Sequence, residues 1–143
     1  MSLLDAIQAA KATGEYNHFI HAIPYFKFLG IQLRDTEAGP LCILPHSPTH
    51  IGNPRLPAIH GGVVGALLES AAILHLVWSR ETVEVPKTIN LSIDYLRSAK
   101  PVDTFARGIA TKHGRRVANV RVEAWQDDPA RPVAAANAHF LLA

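Results

Sequence analysis

Residues 60–78 read HGGVVGALLESAAILHLVW, and this stretch decides the fold of the chain. It contains no proline and is apolar on nearly every face. That pattern predicts a helix buried on all sides rather than a surface helix with one apolar stripe. A membrane span needs roughly 20 apolar residues with few charges, so we expect this shorter, interrupted stretch to lie in a protein core.

The one acidic residue in this predicted helix, Glu69, is the first functional candidate. Its neighbours along the chain are leucine and alanine, and a carboxylate buried among them is costly unless it is paired, hydrogen-bonded or protonated. Residues kept at such a cost are often functional. The alternative is a structural acid that bonds a backbone group or His75.

The predicted helix begins with His60, Gly61 and Gly62. Glycines let a ligand approach the backbone closely, and the unpaired N–H groups of a first helical turn attract negative charge. A helix start of this kind, followed by a buried acid, indicates part of an active site. Two simpler interpretations stay open: His60 caps the loop, and the glycines serve only close helix packing.

The composition limits the classes of protein to consider. The 143 residues fit one domain with a sizeable core. A formal net charge of +2 is too small to indicate a nucleic-acid partner. The lone Cys42 excludes an internal disulfide and a cysteine metal cluster. Residues 1–12 lack the basic lead of a signal peptide, so we expect a cytoplasmic protein with no membrane partner.

The segment before the central helix predicts short helices and then a strand pair. Residues 2–14 and 15–22 have helical character, and Pro24 stops the second segment. We expect strands over residues 26–34, with a bulge at Gly30, and over residues 41–44. Residues 45–57 contain four prolines and predict an irregular loop, in which Pro45 and Pro48 exclude a helical zinc site made by His46 and His50.

The segment after the central helix predicts consecutive strands. A connector over residues 81–86 leads to TINLSIDY, which alternates polar and apolar residues without a fault. Short turns, including a hairpin at His113 and Gly114, join the later strands, so the sheet is antiparallel and the class is α+β. We expect the sheet to wrap around the helix, with an N-terminal helical segment over 1–25 and one domain over 26–143. The strands are predicted over residues 88–95, 104–111, 117–125 and 133–142.

These residues resemble the hot-dog acyl-CoA thioesterases of the phenylacetate-degradation and 4-hydroxybenzoyl-CoA type. The resemblance rests on IPYFKFLGIQL at 23–33, GN at 52–53, HGG at 60–62, an acid nine positions after the histidine, and TINLSIDYL at 88–96. It covers about residues 23–140. It implies a sheet wrapped around the helix, dimers that join two sheets edge to edge, and often tetramers.

The resemblance also implies a reaction, the hydrolysis of an acyl-CoA thioester to a free acid and CoA. It needs no metal and no cofactor beyond the CoA of the substrate. In that scheme the N–H of Gly61 polarises the thioester carbonyl, and Glu69 acts as general base or nucleophile. Asn53 and His60 place the thioester or hold the loop, and Thr88 orients water or the carboxylate.

Two departures from the family pattern bear on these roles. Many relatives have Asp where this chain has Glu69, which leaves base and nucleophile open. Pro54 and Pro57 separate Asn53 from the helix, so Asn53 is alternatively a turn residue. Thr88 is alternatively an ordinary residue on the polar face of its strand.

Helix geometry requires a second subunit. Gly61 and Glu69 are eight residues apart, roughly 12 Å along the axis. A general base must lie within hydrogen-bond reach of the attacking water, so both residues of one helix cannot act on one carbonyl. In a symmetric dimer, Gly61 of one subunit can face Glu69 of the other. We therefore expect a homodimer or a homotetramer.

The CoA phosphates suggest cationic contacts, and guanidinium groups suit phosphate. The candidates are Arg115, Arg116, Arg55 and Lys112, with Gly62 at the helix start. The arginines of the 113–116 hairpin are alternatively a solvated tip. Two other functions stay open: a hot-dog dehydratase or hydratase acting on hydroxyacyl chains, and a catalytically silent acyl-CoA binding protein.

Overall fold

The computed structural model describes residues 3–80 and 85–142, which form four helices and eight strands. The expected start of the first helix at Ser2 and part of the expected connector over 81–86 lie outside these residues. The elements are α1 (Leu3–Thr13), α2 (Asn17–His21), α3 (Pro24–Leu29), β1 (Gln32–Thr36), β2 (Gly39–Leu44), β3 (Ile51–Asn53), β4 (Ala58–Ile59), α4 (Gly61–Arg80), β5 (Lys87–Tyr95), β6 (Thr104–His113), β7 (Val117–Trp125) and β8 (Ala134–Leu141).

Within the described residues, six strands form one antiparallel sheet in the order β1-β2-β6-β7-β8-β5. The strand that follows the central helix, β5, is therefore an edge strand. The two short strands β3 and β4 pair with each other in the loop that leads to α4. The expected α+β class, with an antiparallel sheet wrapped around one long helix, is confirmed.

The sheet curves around α4 because the strand positions facing the helix are small or β-branched. Side chains alternate between the two faces of a strand. On β8, Ala134, Ala136 and Ala138 are fully buried, as is Val122 of β7. Alanine lets the sheet approach the helix backbone closely, and Phe140 fills the wider space farther along β8.

The N-terminal helices complete the core. Ile7 of α1 and Ile20 of α2 are fully buried in the same apolar cluster as α4. The Tyr16 and Trp78 rings meet edge to face with centroids 5.2 Å apart. The Lys11 ammonium donates to the Trp78 carbonyl at 2.8 Å and lies over the indole ring. These contacts tie the end of α4 to the start of the chain.

The central helix differs from expectation in two ways. With 20 residues it is long and apolar enough to cross a membrane by length and composition, so the expectation that it is too short was wrong. Most of it is buried inside this protein, as expected of a core helix. One stripe of the helix, formed by Gly62, Ala66 and Glu69, is only partly covered, so the helix is not buried on all sides.

The strand expected over residues 26–34 was wrong in its first half, which is helical. Pro24 occupies the first turn of α3, where a missing N–H costs nothing and the fixed φ suits a helix. Phe26 and Leu29, three residues apart, are buried. Gly30 has φ 79° and ends the helix, so it is a C-terminal cap rather than a bulge.

The loop over residues 45–57 is more ordered than its prolines suggested. It contains a 3-10 turn at Pro48–His50 and the strand β3. The later strands and the hairpin at 113–114 are confirmed, although β5 is not faultless. Its register shifts between Thr88 and Asn90, and Ile89 there is 57% exposed.

A close contact between sheet and helix fixes β6 against α4. The His75 ring lies over Gly108, and its Nε2 is 2.7 Å from the Thr111 hydroxyl. Burial lowers the pKa of His75, and the nearby His113 lowers it further, so the ring is held neutral. His75 is therefore a core histidine that clamps two layers together.

This clamp predicts the effect of Gly108→Ala. An added Cβ would lie 2.6 Å from Cγ of His75, which is the root of a packed ring rather than a flexible end. We expect the free energy of unfolding to fall by about 1–3 kcal/mol, measured by urea denaturation. Replacing His75 by alanine as well removes the ring, so the glycine substitution should cost less in that background. Equal costs in both backgrounds would contradict the clamp.

Candidate active site

His60 caps the start of the central helix. Its Nδ1 accepts the N–H of Gly62 at 2.8 Å, and its carbonyl accepts the N–H of Val63 at 2.9 Å. A Cβ on Gly62 would lie 2.9 Å from the same Nδ1, so the residue that is capped must be small. The His60 N–H in turn donates to the His50 carbonyl at 2.8 Å, which holds the cap against the preceding loop.

The cap leaves one N–H without a partner at the helix start. The Gly61 N–H donates to no group among the described residues, and Gly61 is partly exposed. The Tyr95 hydroxyl donates to the Gly61 carbonyl at 2.8 Å, and the Tyr95 ring lies within van der Waals reach of Gly61. Gly61 is therefore held in place while its amide hydrogen stays available to an incoming oxygen.

A cavity of about 280 Å³ opens beside this amide. Gly61, Tyr95 and Val64 form part of its wall. A second cavity of about 340 Å³ shares Arg97, Ser98 and Val133 with the first. The second cavity is also lined by Lys100, Gln126, Asp127, Asp128 and Arg131. A long ligand whose carbonyl meets Gly61 would therefore have cationic side chains farther along its length.

Glu69 lies on the partly covered stripe of α4, two turns after Gly62, and is itself half-buried. It has no hydrogen bond or ion pair among the described residues. His75, the partner that a structural role would use, bonds Thr111 instead. The carboxylate is therefore free to serve a group that approaches this stripe from outside the chain.

The loop candidates Asn53 and Arg55 meet each other. The Asn53 side-chain oxygen accepts the backbone N–H of Arg55 at 3.1 Å, and both residues are exposed. This local bond is typical of an asparagine in a turn. Asn53 is the last residue of β3, and Arg55 lies in the turn between β3 and β4, before the helix start.

The remaining candidates lie at the other end of the sheet. Thr88 pairs with the buried Phe140, which puts it on the helix-facing side of β5 rather than the polar side. It is seven residues from Tyr95 on that strand, roughly 23 Å at 3.3 Å per residue. The exposed Arg115 and Arg116 occupy the β6–β7 hairpin at the same far end. Within one chain, these three residues are remote from Gly61.

Two residues of the site were missed at the level of sequence. In the phrase DYLR, Tyr95 is the last residue of the alternating strand and Arg97 lies just beyond it. A tyrosine at the end of a strand that packs on a glycine-rich helix start is a reasonable candidate for a hydrogen bond to that helix, because its hydroxyl needs a partner. The cavity around Arg97 depends on tertiary contacts and has no local signal.

The loop that leads to His60 contains a buried histidine, His50. Burial lowers the pKa of His50, and the charge of His46 lowers it further, although a hydrogen bond with the Leu29 backbone acts in the opposite direction. His50 is 7% exposed. A neutral, packed His50 thus connects α3 to the cap at His60.

Comparison with known proteins identifies the family of this chain. A family model described as the thioesterase superfamily matches residues 56–133, a range that includes His60, Gly61 and Glu69. The medium/long-chain acyl-CoA thioesterase YigI of Salmonella typhimurium is 31% identical over 141 residues, which cover 89% of this chain and 90% of that protein.

Solved structures show the same architecture over most of the chain. A crystal structure of a protein from Chromobacterium violaceum has a TM-score of 0.77 at 41% identity and covers 96% of each chain. A phenylacetic acid degradation-related protein from Ralstonia eutropha has a TM-score of 0.69 at 27% identity, covering 83% of this chain and 89% of that one. The chain therefore belongs to the thioesterase superfamily, and its fold is the hot-dog fold.

Proposed function

We propose that this protein hydrolyses an acyl-CoA thioester, with the Gly61 amide of one subunit and the partner's Glu69 acting on the same carbonyl. The observation that carries the proposal is the unpaired Gly61 N–H at a capped helix start beside a cavity. The similarity to a medium/long-chain acyl-CoA thioesterase supports this substrate class, and we extend its acyl length to this chain.

The chemistry follows from the charge that develops. Water adds to the thioester carbonyl, and negative charge collects on its oxygen, which the Gly61 N–H can stabilise. The carboxylate of the partner's Glu69 takes the proton of that water, because water is a poor nucleophile at neutral pH. The carbon–sulfur bond then breaks to release the free acid, and the CoA thiolate leaves as a thiol by taking the proton that the partner's Glu69 received from the water.

We propose a dimer because a single chain leaves an apolar surface exposed at the β5 edge of the sheet. Strand β5 is an edge strand whose outer backbone groups lack a strand partner among the described residues. Large apolar side chains lie exposed along and just beyond it, with Ile89 at 57%, Tyr95 at 56% and Leu96 at 51%. The stripe of α4 that carries Glu69 is also only partly covered. A second copy joined at this edge would bury these groups and exclude water from both sites.

The CoA phosphates are proposed to lie near Arg97, Lys100 and Arg131. These cations line the cavity that continues from the one beside Gly61. The hairpin arginines Arg115 and Arg116 are remote from Gly61 of the same chain, so they could reach the substrate only from the partner subunit.

The Gly61 amide can be tested by removing only its hydrogen. Proline fits the first position of a helix, so Gly61→Pro should fold and lose kcat by about 10²–10³-fold through loss of one oxyanion donor. Gly61→Ala is the matched control, because its Cβ would lie 3.4 Å from the Tyr95 ring, an ordinary contact, and its N–H remains. Thiol release from acyl-CoA is the measurement.

The shared site is tested by mixing subunits. Glu69→Gln and Gly61→Pro proteins should each be inactive, and hybrid dimers should regain activity because one of their two sites is intact. Hybrids as inactive as both parents would rule out a site built from two subunits.

Measurements of stability and of turnover can distinguish a capping role of His60 from a chemical role. If it acts as a cap, His60→Ala should lower the free energy of unfolding by about 1 kcal/mol, and His60→Asn should restore most of it, since asparagine is a good cap. Turnover should follow the same order. An asparagine variant that is stable yet inactive would instead assign His60 a chemical role.

The proposed phosphate contacts predict that substitutions of Arg97 and Arg116 affect the KM for acyl-CoA differently. Arg97→Gln should raise the KM for acyl-CoA by about tenfold with a smaller change in kcat, since one charged hydrogen bond is lost. Arg116→Gln is the matched control and should change KM little. The reverse result would move the phosphates to the hairpin.

A further inference from the structure

We propose that the outer face of the sheet carries a binding site for a phosphate-type dianion, separate from the helix start. The site is a depression of about 340 Å³ over β6, β7 and β8. Its lining includes Thr111, whose hydroxyl bonds His75, and five polar residues on which the proposal rests: Lys112, Asn119, Arg121, Asn137 and His139.

These five side chains point away from the central helix. On β7, Asn119 and Arg121 alternate with Val120, and on β8, Asn137 and His139 flank Ala138. Val120 and Ala138 are buried against the helix. Because successive side chains on a strand point to opposite faces, the five polar side chains share the outer face and cannot contact Gly61 or Glu69 of their own chain.

Strand register brings the five residues into one compact array. Asn119 lies opposite Lys112 on β6 and opposite His139 on β8. Arg121 lies opposite Asn137. Residues directly opposite have Cβ atoms roughly 5 Å apart, so the side chains enclose a space that suits a tetrahedral oxyanion.

Every member of the array can donate a hydrogen bond. Lys112 and Arg121 bring two positive charges, and the two asparagines bring amide donors. His139 also lines the depression, and an imidazole ring can donate through an N–H. Among the described residues, no carboxylate lines the depression. The two cationic side chains and the neutral donors together complement a dianion.

One neighbouring acid offsets part of the charge of the array. Glu123, the next outward residue on β7, forms an ion pair with the Arg121 guanidinium at 3.7 Å, beyond hydrogen-bond distance, so the guanidinium N–H groups can still donate to a ligand. Asp94 is opposite Ala135, one rung beyond the Arg121–Asn137 pair. On the same face of β5, Ser92 is opposite Asn137 and adds a hydroxyl rather than a charge. A dianion would meet Arg121 on the side away from Glu123.

The test is a titration of the full chain with inorganic phosphate, with sodium chloride used to hold ionic strength constant. We expect saturable binding by calorimetry. Arg121→Gln and Asn137→Ala should each weaken it about tenfold, as the loss of a hydrogen bond to a charged group implies. Arg34→Gln is the matched control, because Arg34 is an exposed arginine on β1, at the opposite edge of the sheet.

Two results would overturn the site: no saturable binding by the wild-type chain, or phosphate affinity in the Arg121 and Asn137 variants equal to the wild type. If Arg121→Gln does not fold, Asn137→Ala decides alone, since Asn137 is exposed. Glycerol 3-phosphate distinguishes the source of the anion. Tighter binding than inorganic phosphate assigns the site to a phosphate ester, and weaker binding assigns it to free phosphate.

Discussion

The hydrogen bond from the Gly62 amide to Nδ1 of His60 organises the site. A helix start has several N–H groups without intrahelical partners, and water would normally take them. Here the histidine ring takes one of them at 2.8 Å, while Tyr95 takes the Gly61 carbonyl. The Gly61 N–H has no partner among the described residues, and Gly61 lines a cavity. A preorganised donor of this kind needs no reorganisation when charge develops on a substrate oxygen.

Close packing between small residues makes that arrangement possible. The space between the Tyr95 ring and Gly61 admits a methyl group at ordinary contact distance, and a Cβ on Gly65 would lie 2.9 Å from the end of the Ile93 side chain. The alanines of β8 allow a similarly close approach along the sheet. Side chains larger than alanine at Gly61 would push the Tyr95 ring away, and its hydroxyl would lose the Gly61 carbonyl. The same residues therefore serve both the core and the site.

Periodicity in the sequence was enough to predict the core helix and strands. It was not enough to predict the residues around the site. The apolar stretch at 60–78 and the alternation in TINLSIDY have strong periods, so the helix and the edge strand were predictable. The segment 26–34 was mistaken for a strand because its aromatic residues suit both structures. A left-handed glycine occurs both in helix caps and in bulges, and the hydrogen bonds from the Gly30 N–H to the Phe26 and Lys27 carbonyls identify the cap. The contact of Arg97 with the cavity depends on the turn between β5 and β6, which no local pattern specifies.

The environment of Glu69 in a single chain is incomplete for the proposed reaction. Sequence alone predicted a buried acid, and in the single chain it is half-buried, without a partner among the described residues. In the proposed mechanism, the eight-residue separation from Gly61 requires a second helix at the carbonyl, and a second copy that covers the stripe would also exclude water from the carboxylate. One event, the arrival of a second copy at the β5 edge, would therefore supply both the missing donor and the dry environment.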